Sequence, residues 1–168
     1  MTNCEVKPLV HQTEQESPVR VLFVCTGNTC RSPMAAAVFN DMAARTGRAG
    51  ELCAKSAGLF AYDGDPITPA ASAALQRAGI PATPQNDYTA HSARTVTEEH
   101  VAQADVVVAM TGAHAMQLLL RFPEAAAKIT CPGADITDPF GGDDAVYERC
   151  LCDLRAAVRE MFFDGGMQ

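Results

Sequence analysis

The chain has 168 residues, with 13 Lys and Arg against 20 Asp and Glu, a formal net charge of −7. Hydrophobic residues make up 48% and charged residues 20%, which excludes a disordered chain and suits one domain with a core of its own. No apolar run reaches the roughly 18 residues of a membrane span, and the acidic balance argues against nucleic acid as a partner.

Residues 1–18 are polar and aperiodic, with Glu5, Glu14 and Glu16 and no apolar stretch of the signal-peptide kind. They read as a flexible extension ahead of a domain at 19–165. Val19-Arg20-Val21-Leu22-Phe23-Val24 is a short, nearly continuous apolar run, the pattern of a strand buried on both faces. A turn follows at Thr26-Gly27-Asn28. A helix then opens with Ser32 as N-cap and Pro33 at its first position, and runs to about Arg45. Leu52–Ser56 reads as a second strand ending at Ala57-Gly58. Thr68-Pro69 starts a helix to about Ala78, stopped by Gly79. Thr97-Glu98-Glu99 starts another, followed by the strand Asp105–Met110. Thr111 caps a helix to about Phe122, Lys128–Thr130 is a weak fourth strand, and a last helix spans about Asp143 to Phe163. Strands alternating with helices imply a single α/β domain with a parallel sheet covered on both faces.

In such a sheet, ligands bind beyond the carboxyl ends of the strands. The first strand-to-helix turn reads Cys25-Thr26-Gly27-Asn28-Thr29-Cys30-Arg31-Ser32-Pro33. Successive N–H groups in a tight loop at a helix N-terminus form an anion cradle. Gly27 is the residue expected to give the turn its freedom and close approach. Arg31 can meet two phosphate oxygens with its planar fork. Cys25 sits at the mouth of the cradle, where positive potential favours the thiolate, the nucleophilic form. A cysteine ending a buried strand is most often a small core residue, but the combination of buried strand, Gly-containing turn, Arg, Ser and Pro is far more constrained than that pair alone. A Walker-type nucleotide loop is excluded, because the turn lacks Gly-Lys-Ser/Thr.

The seven cysteines, Cys4, Cys25, Cys30, Cys53, Cys131, Cys150 and Cys152, are an odd number without an export signal. That favours a reducing, cytoplasmic setting over a disulfide scaffold. No paired Cys-x-x-Cys units occur, and His11, His91, His100 and His114 are scattered, so neither metal nor cofactor is expected. His100 and His114 read as ordinary surface or helix residues.

Cys25–Pro33 resembles the phosphate-binding loop of the low-molecular-weight protein tyrosine phosphatases. The resemblance runs through most of the chain from Val19: Ser56-Ala57-Gly58 resembles the family's second-strand exit, His91-Ser92-Ala93-Arg94 a segment whose His and Arg support the loop, and Asp138-Pro139-Phe140 the general-acid loop. It implies a three-layer α/β/α fold of flavodoxin-like architecture, with a four-stranded parallel sheet and no metal. It further implies that Cys25 attacks phosphorus in line while the amides of residues 26–32 and Arg31 hold the equatorial oxygens. Asp138 would protonate the leaving group and then serve as base for water. Asn28, Ser32, Ser56 and His91 resemble the family's support for the loop; for Ser32 the N-cap reading stands beside it.

The chain departs from tyrosine-specific members at Thr29, where they commonly carry Ile or Leu, and at Phe140, often Tyr. Thr29, Phe140-Gly141-Gly142 and Ser56–Ala61 are closer to the bacterial protein-arginine phosphatases. The leaving nitrogen of phosphoarginine belongs to a planar cation that wants acceptors nearby, and Asp138 can supply them. The other reading of Thr29 is a tolerated β-branched variant without effect on specificity. Phe60, Tyr62 and Phe140 are candidate substrate walls, with plain packing as the alternative for the first two. The resemblance also suggests a protective Cys25–Cys30 disulfide, with a small buried residue as the other reading of Cys30.

Two rival readings fit these residues less well. Thioredoxin-coupled arsenate reductases need a relay of two cysteines in mid-chain, and none lies between Cys53 and Cys131. A non-catalytic phosphate-binding module needs neither Cys25 nor Asp138. The expected partner is a phosphorylated protein, and the expected state a monomer or weak homodimer.

Overall fold

A computed structural model describes residues 17–165. Residues 1–16 of the expected N-terminal extension lie outside the described residues. Strand β1 (Val19–Cys25) pairs in parallel with β2 (Leu52–Gly58) on one side and with β3 (Val106–Ala109) on the other, and β3 pairs with the two-residue β4 (Ile129–Thr130). The order is therefore β2-β1-β3-β4. The chain leaves β1 toward β2 and later returns to the opposite side at β3. That reversal places the switch point of the sheet at the carboxyl end of β1, where a crevice opens.

Period-two alternation along β1 divides the core. Val21 and Phe23 face a layer made by α1 (Arg31–Arg45), α2 (Pro69–Arg77) and α5 (Asp144–Phe162). Leu22 and Val24 face the other layer, α3 (Glu98–Gln103) and α4 (Gly112–Arg121), with Val101, Leu118 and Phe122. The first face is sealed by edge-to-face aromatics: Phe39 lies 5.2 Å from Phe162, 5.6 Å from Phe163 and 6.0 Å from Phe23. Each such pair contributes about 0.5–1.5 kcal/mol beyond its buried area. The expected three-layer α/β/α architecture is the one observed.

Most helix starts follow their capping residues. Thr68, Thr97, Thr111 and Asp143 each accept a backbone N–H at their helix N-termini. The start of α1 differs from expectation. The helix begins at Arg31, and Cys30 stands at the N-cap without a side-chain bond. Ser32 lies inside the first turn, its hydroxyl spent elsewhere, and Pro33 is tolerated there because first-turn N–H groups need no helical partner. Short 3₁₀ turns at Tyr88–Ala90 and Pro123–Lys128 carry no periodicity and were not anticipated. Among the described residues, no helix is long and apolar enough to cross a membrane.

Register brings Gly58 directly opposite Cys25. A Cβ at Gly58 would stand 2.6 Å from the Thr26 carbonyl oxygen and 3.0 Å from the Asn28 nitrogen, both backbone atoms that cannot swing aside. The second strand thus abuts the loop that follows the first. Gly58→Ala is expected to destabilise the fold by about 1–3 kcal/mol through overpacking and to reduce turnover. Urea unfolding followed by circular dichroism, with kinetics on the same preparation, checks this.

Candidate active site

The loop from Cys25 to Arg31 joins β1 to α1 and, with Asp138 and Phe140, lines a cavity of about 210 Å³. Its unusual backbone residue is Asn28 and not Gly27. Asn28 has φ = 57°, whereas Gly27 has no positive φ, and a Cβ there would meet only Thr29 Oγ1 at 3.8 Å. Asparagine tolerates the left-handed region better than most side chains because its short amide bonds locally.

Asn28 is fully buried and fully bonded. Its Nδ2 donates to Ser32 Oγ and to Ser56 Oγ, both at 2.9 Å, and its Oδ1 accepts from the Arg94 backbone N–H at 3.0 Å. Its carbonyl accepts from His91 Nε2 at 2.7 Å, and its N–H points to Cys25 Sγ at 3.3 Å. The expected support group of Asn28, Ser32, Ser56 and His91 is therefore brought together around one residue. Arg94 joins through its main chain rather than its guanidinium.

Cys25 is buried at the base of this arrangement, with Sγ 3.0 Å from Ser32 Oγ. Ser32 accepts from Asn28 and has one hydrogen to give, to Cys25 Sγ or, at 3.3 Å, to the Ala57 carbonyl. When sulfur carries the charge, both the Ser32 hydroxyl and the Asn28 N–H can donate to it. Arg31 is buried as well. Its Nη1 donates to the Ile136 carbonyl at 3.2 Å, and its Nη2 lies 3.3 Å from Asp138 Oδ2. The segment that carries Asp138 is itself hung from the sheet, since the Ile136 N–H donates to the Met110 carbonyl at 2.9 Å. Asp138 is the more open partner, its side chain about half exposed. Its Oδ1 accepts from the Phe140 N–H at 3.2 Å, which fixes Phe140 at the rim.

Thr29 lines the cavity, as does Phe140, which is 73% exposed. Phe60 and Tyr62 are exposed but not among the lining residues, and the Arg121 guanidinium lies over the Phe60 ring. Cys30 is buried and reduced. Its sulfur is 3.4 Å from the Tyr147 hydroxyl and 3.4 Å from Thr68 Oγ1. Burial, seconded by the bond to Cys30, pushes the Tyr147 phenol up to about 12.

Sequence reasoning missed His114. It is not an ordinary surface residue: it is buried, with Nε2 2.8 Å from Thr26 Oγ1 in the loop. A signal existed in Thr111-x-x-His114 at the carboxyl end of β3, because β3 neighbours β1 in the sheet and its exit turn must adjoin the loop. Burial, aided by nearby Arg31, holds the His114 ring below the ordinary histidine value despite Asp135 and Asp138. Burial likewise lowers His91, seconded by Arg94 and opposed by its bond to Asn28.

The loop and its cavity thus lie at the switch point of a doubly covered parallel sheet, which defines an α/β protein with a candidate site after β1. Comparison with known proteins sharpens the class. Residues 20–165 match the family described as low molecular weight phosphotyrosine protein phosphatase. A protein-arginine-phosphatase of Geobacillus stearothermophilus is 38% identical over 148 residues, covering 84% of this chain and 92% of that one. A low molecular weight protein tyrosine phosphatase from T. tengcongensis superposes with a TM-score of 0.78 at 38% identity, covering 85% of this chain and 97% of its own. A mutant of the YwlE arginine phosphatase with a phosphorylated active-site serine superposes with a TM-score of 0.77 at 33% identity, covering 85% and 93%. The chain belongs to the low-molecular-weight protein phosphatase family and is a hydrolase of phosphorylated residues.

Both lowered histidines give the fold a pH dependence of defined sign. The folded chain holds fewer protons on them than the unfolded chain does, so protons drawn on below about pH 6.5 favour unfolding. The urea midpoint is expected to fall between pH 7.5 and pH 5.5. His91→Gln, which keeps a donor toward Asn28 without a titrating ring, is expected to fall less steeply.

Proposed function

We propose that the protein hydrolyses phosphoarginine in protein substrates through a phosphocysteine intermediate. The observation that carries the reading is the single small cavity onto which Cys25, Arg31, Thr29 and Asp138 all open. Its small size suits a phosphoryl group rather than a whole substrate, so the remainder of the substrate lies across the rim.

In the first step, Cys25 sulfur forms a bond to phosphorus as the phosphorus–nitrogen bond to the guanidine breaks. The electron pair leaves with nitrogen, which takes the proton of Asp138. The N–H groups of the loop and the Arg31 fork hold the three equatorial oxygens, where charge is spread in the transition state. In the second step, water attacks phosphorus from the side vacated by guanidine and Asp138 takes its proton. The sulfur–phosphorus bond breaks, and inorganic phosphate leaves. The phosphorylated active-site serine of the YwlE mutant supports a covalent intermediate at this position of the loop.

Arginine specificity draws support from two sides. Thr29 is among the residues that line the cavity with Cys25 and Asp138, and a relative matched over most of its length bears the name protein-arginine-phosphatase. The half-exposed Asp138 carboxylate also faces the rim, where a leaving guanidinium can share its oxygens. The second reading, phosphotyrosine hydrolysis, is favoured by the tyrosine phosphatase from T. tengcongensis, which matches in fold and identity as closely as the YwlE structure. Phe140, exposed at the rim, would then stack on the phenyl ring.

Two measurements test the proposal. Cys25→Ser should lower turnover of an aryl phosphate by roughly 10³-fold or more, and Asp138→Asn should lower kcat by about 10²- to 10⁴-fold. Undiminished turnover by Cys25→Ser sinks the covalent mechanism. Comparing phosphoarginine and phosphotyrosine peptides should show a parent preference for phosphoarginine that moves toward phosphotyrosine in Thr29→Ile. A parent that prefers phosphotyrosine overturns the arginine reading while leaving the chemistry of Cys25 in place.

A further inference from the structure

The sheet carries a second opening, away from the phosphate loop. A parallel sheet covered on both faces takes apolar residues nearly throughout, and β2 breaks that pattern at Lys55, exposed between buried neighbours. Register sets Lys55 beside Leu22, and residues paired in this way share one face of the sheet. Leu22 belongs to the face covered by Val101 and Ala104 at α3. A lysine thus stands on a face built for apolar contact. A cavity of about 280 Å³ opens there, between β1, β2 and α3. It is close in size to the smaller ligand cavities of proteins, about 300 Å³, and shares no lining residue with the cavity at Cys25.

Its wall is cationic in a chain of net charge −7. Arg20, Lys55 and Arg94 line it against a single carboxylate, Glu99. Arg20 is offset by Asp105, 3.4 Å away. Among the described residues, neither Lys55 nor Arg94 has a carboxylate within ion-pair distance. Glu99 is engaged by the Gln103 amide at 2.9 Å. His100, also in the wall, adds a donor. Its Nδ1 accepts the Thr97 N–H at 3.2 Å, and a backbone N–H can only donate, so the one hydrogen of the ring sits on Nε2.

This balance selects the ligand. Two uncommitted cations against one carboxylate leave a surplus of one positive charge, so a dianion would meet Glu99 with its second charge. The planar Arg94 fork matches the two oxygens of a carboxylate. Leu22 and Ala104 are apolar lining that suits a hydrocarbon body. We propose that this cavity binds a small organic monocarboxylate, its charged end held by Arg94 and Lys55 and its hydrocarbon part laid against Leu22 and Ala104. The site draws on no chemistry at Cys25.

Hexanoate and benzoate are the probes, titrated into the nitrogen-15-labelled parent. Each is expected to give saturable shifts, largest at the amides of Leu22, Lys55 and His100. Lys55→Gln and Arg94→Gln should each raise Kd about 5- to 10-fold, as for a charged hydrogen bond partly open to water. Hexanol, which has the chain without the charge, should bind more weakly than hexanoate by at least the same factor. Inorganic phosphate should shift these three amides less than hexanoate does at equal concentration. Both substituted side chains are exposed, and thermal melting of each variant checks that its fold is kept. Saturation by neither carboxylate, largest shifts at residues 26–31, or a Kd unchanged in either variant overturns the proposal. So does hexanol binding as tightly as hexanoate, or phosphate filling the cavity as well as the carboxylates do. Lys55→Gln should hydrolyse para-nitrophenyl phosphate at the parent rate. A parent without turnover therefore sinks the phosphatase reading alone, and a parent that turns over substrate but binds neither carboxylate sinks this inference alone.

Discussion

The site depends on one side chain held in a conformation it would not choose alone. Asn28 in the left-handed region costs about 1–2 kcal/mol, and every polar group it owns is used to keep it there. Beyond the bond to Cys25, they reach three other segments: the exit of β2 through Ser56, the start of α1 through Ser32, and the 91–94 segment through His91 and Arg94. The loop is therefore a junction where three pieces of chain are stitched to one amide. Cys25 inherits its surroundings from that stitching, since the Asn28 N–H and the Ser32 hydroxyl that face its sulfur are fixed by it.

Net charge and local field point in opposite directions here. At −7 the molecule as a whole repels anions, yet over the few ångströms of the cavity the N–H groups, the α1 terminus and the Arg31 guanidinium set the potential. With a Debye length of only about 8 Å at physiological salt, distant carboxylates are largely screened. Arg31 is the strongest element and also the most guarded. It is buried, tied to the Ile136 carbonyl, and closed on its outer side by Asp138. The guanidinium and the Asp138 carboxylate are thus set by a single loop, 136–140, itself fastened to the end of β3.

Much of this was legible because local rules and the global fold agree. The apolar run at 19–24, the Thr-Pro start at 68 and the Thr111 cap are strong signals whose meaning does not depend on distant residues. Residue type and spacing suggest the roles of Cys25 and Arg31, the family resemblance suggests that of Asp138, and the fold brings all three to one cavity. What could not be read was the direction of hydroxyls and amides. Ser32 looked like a cap because serine at a helix start usually is one, but a buried sulfur and a buried amide outcompeted the helix N–H groups for it. Gly27 drew attention as the conformationally free residue, while the strain sits next door at Asn28, compensated by tertiary bonds that no local pattern records. His114 was passed over for the same reason: its partner lies 88 residues away in sequence, and only the parallel pairing of β1 with β3 makes them neighbours.

The walls of the cavity are built unlike its floor. Phe140 stands mostly in solvent, held by a turn and not by the core, and Phe60 and Tyr62 are similarly exposed beyond it. Side chains so lightly tied can be exchanged at little cost to stability, whereas almost any change in the floor disturbs several segments at once. Rim and floor can consequently be altered independently: a change at Phe140 leaves the bonds of Asn28 intact, whereas a change at Asn28, Ser32 or Ser56 loosens several segments together.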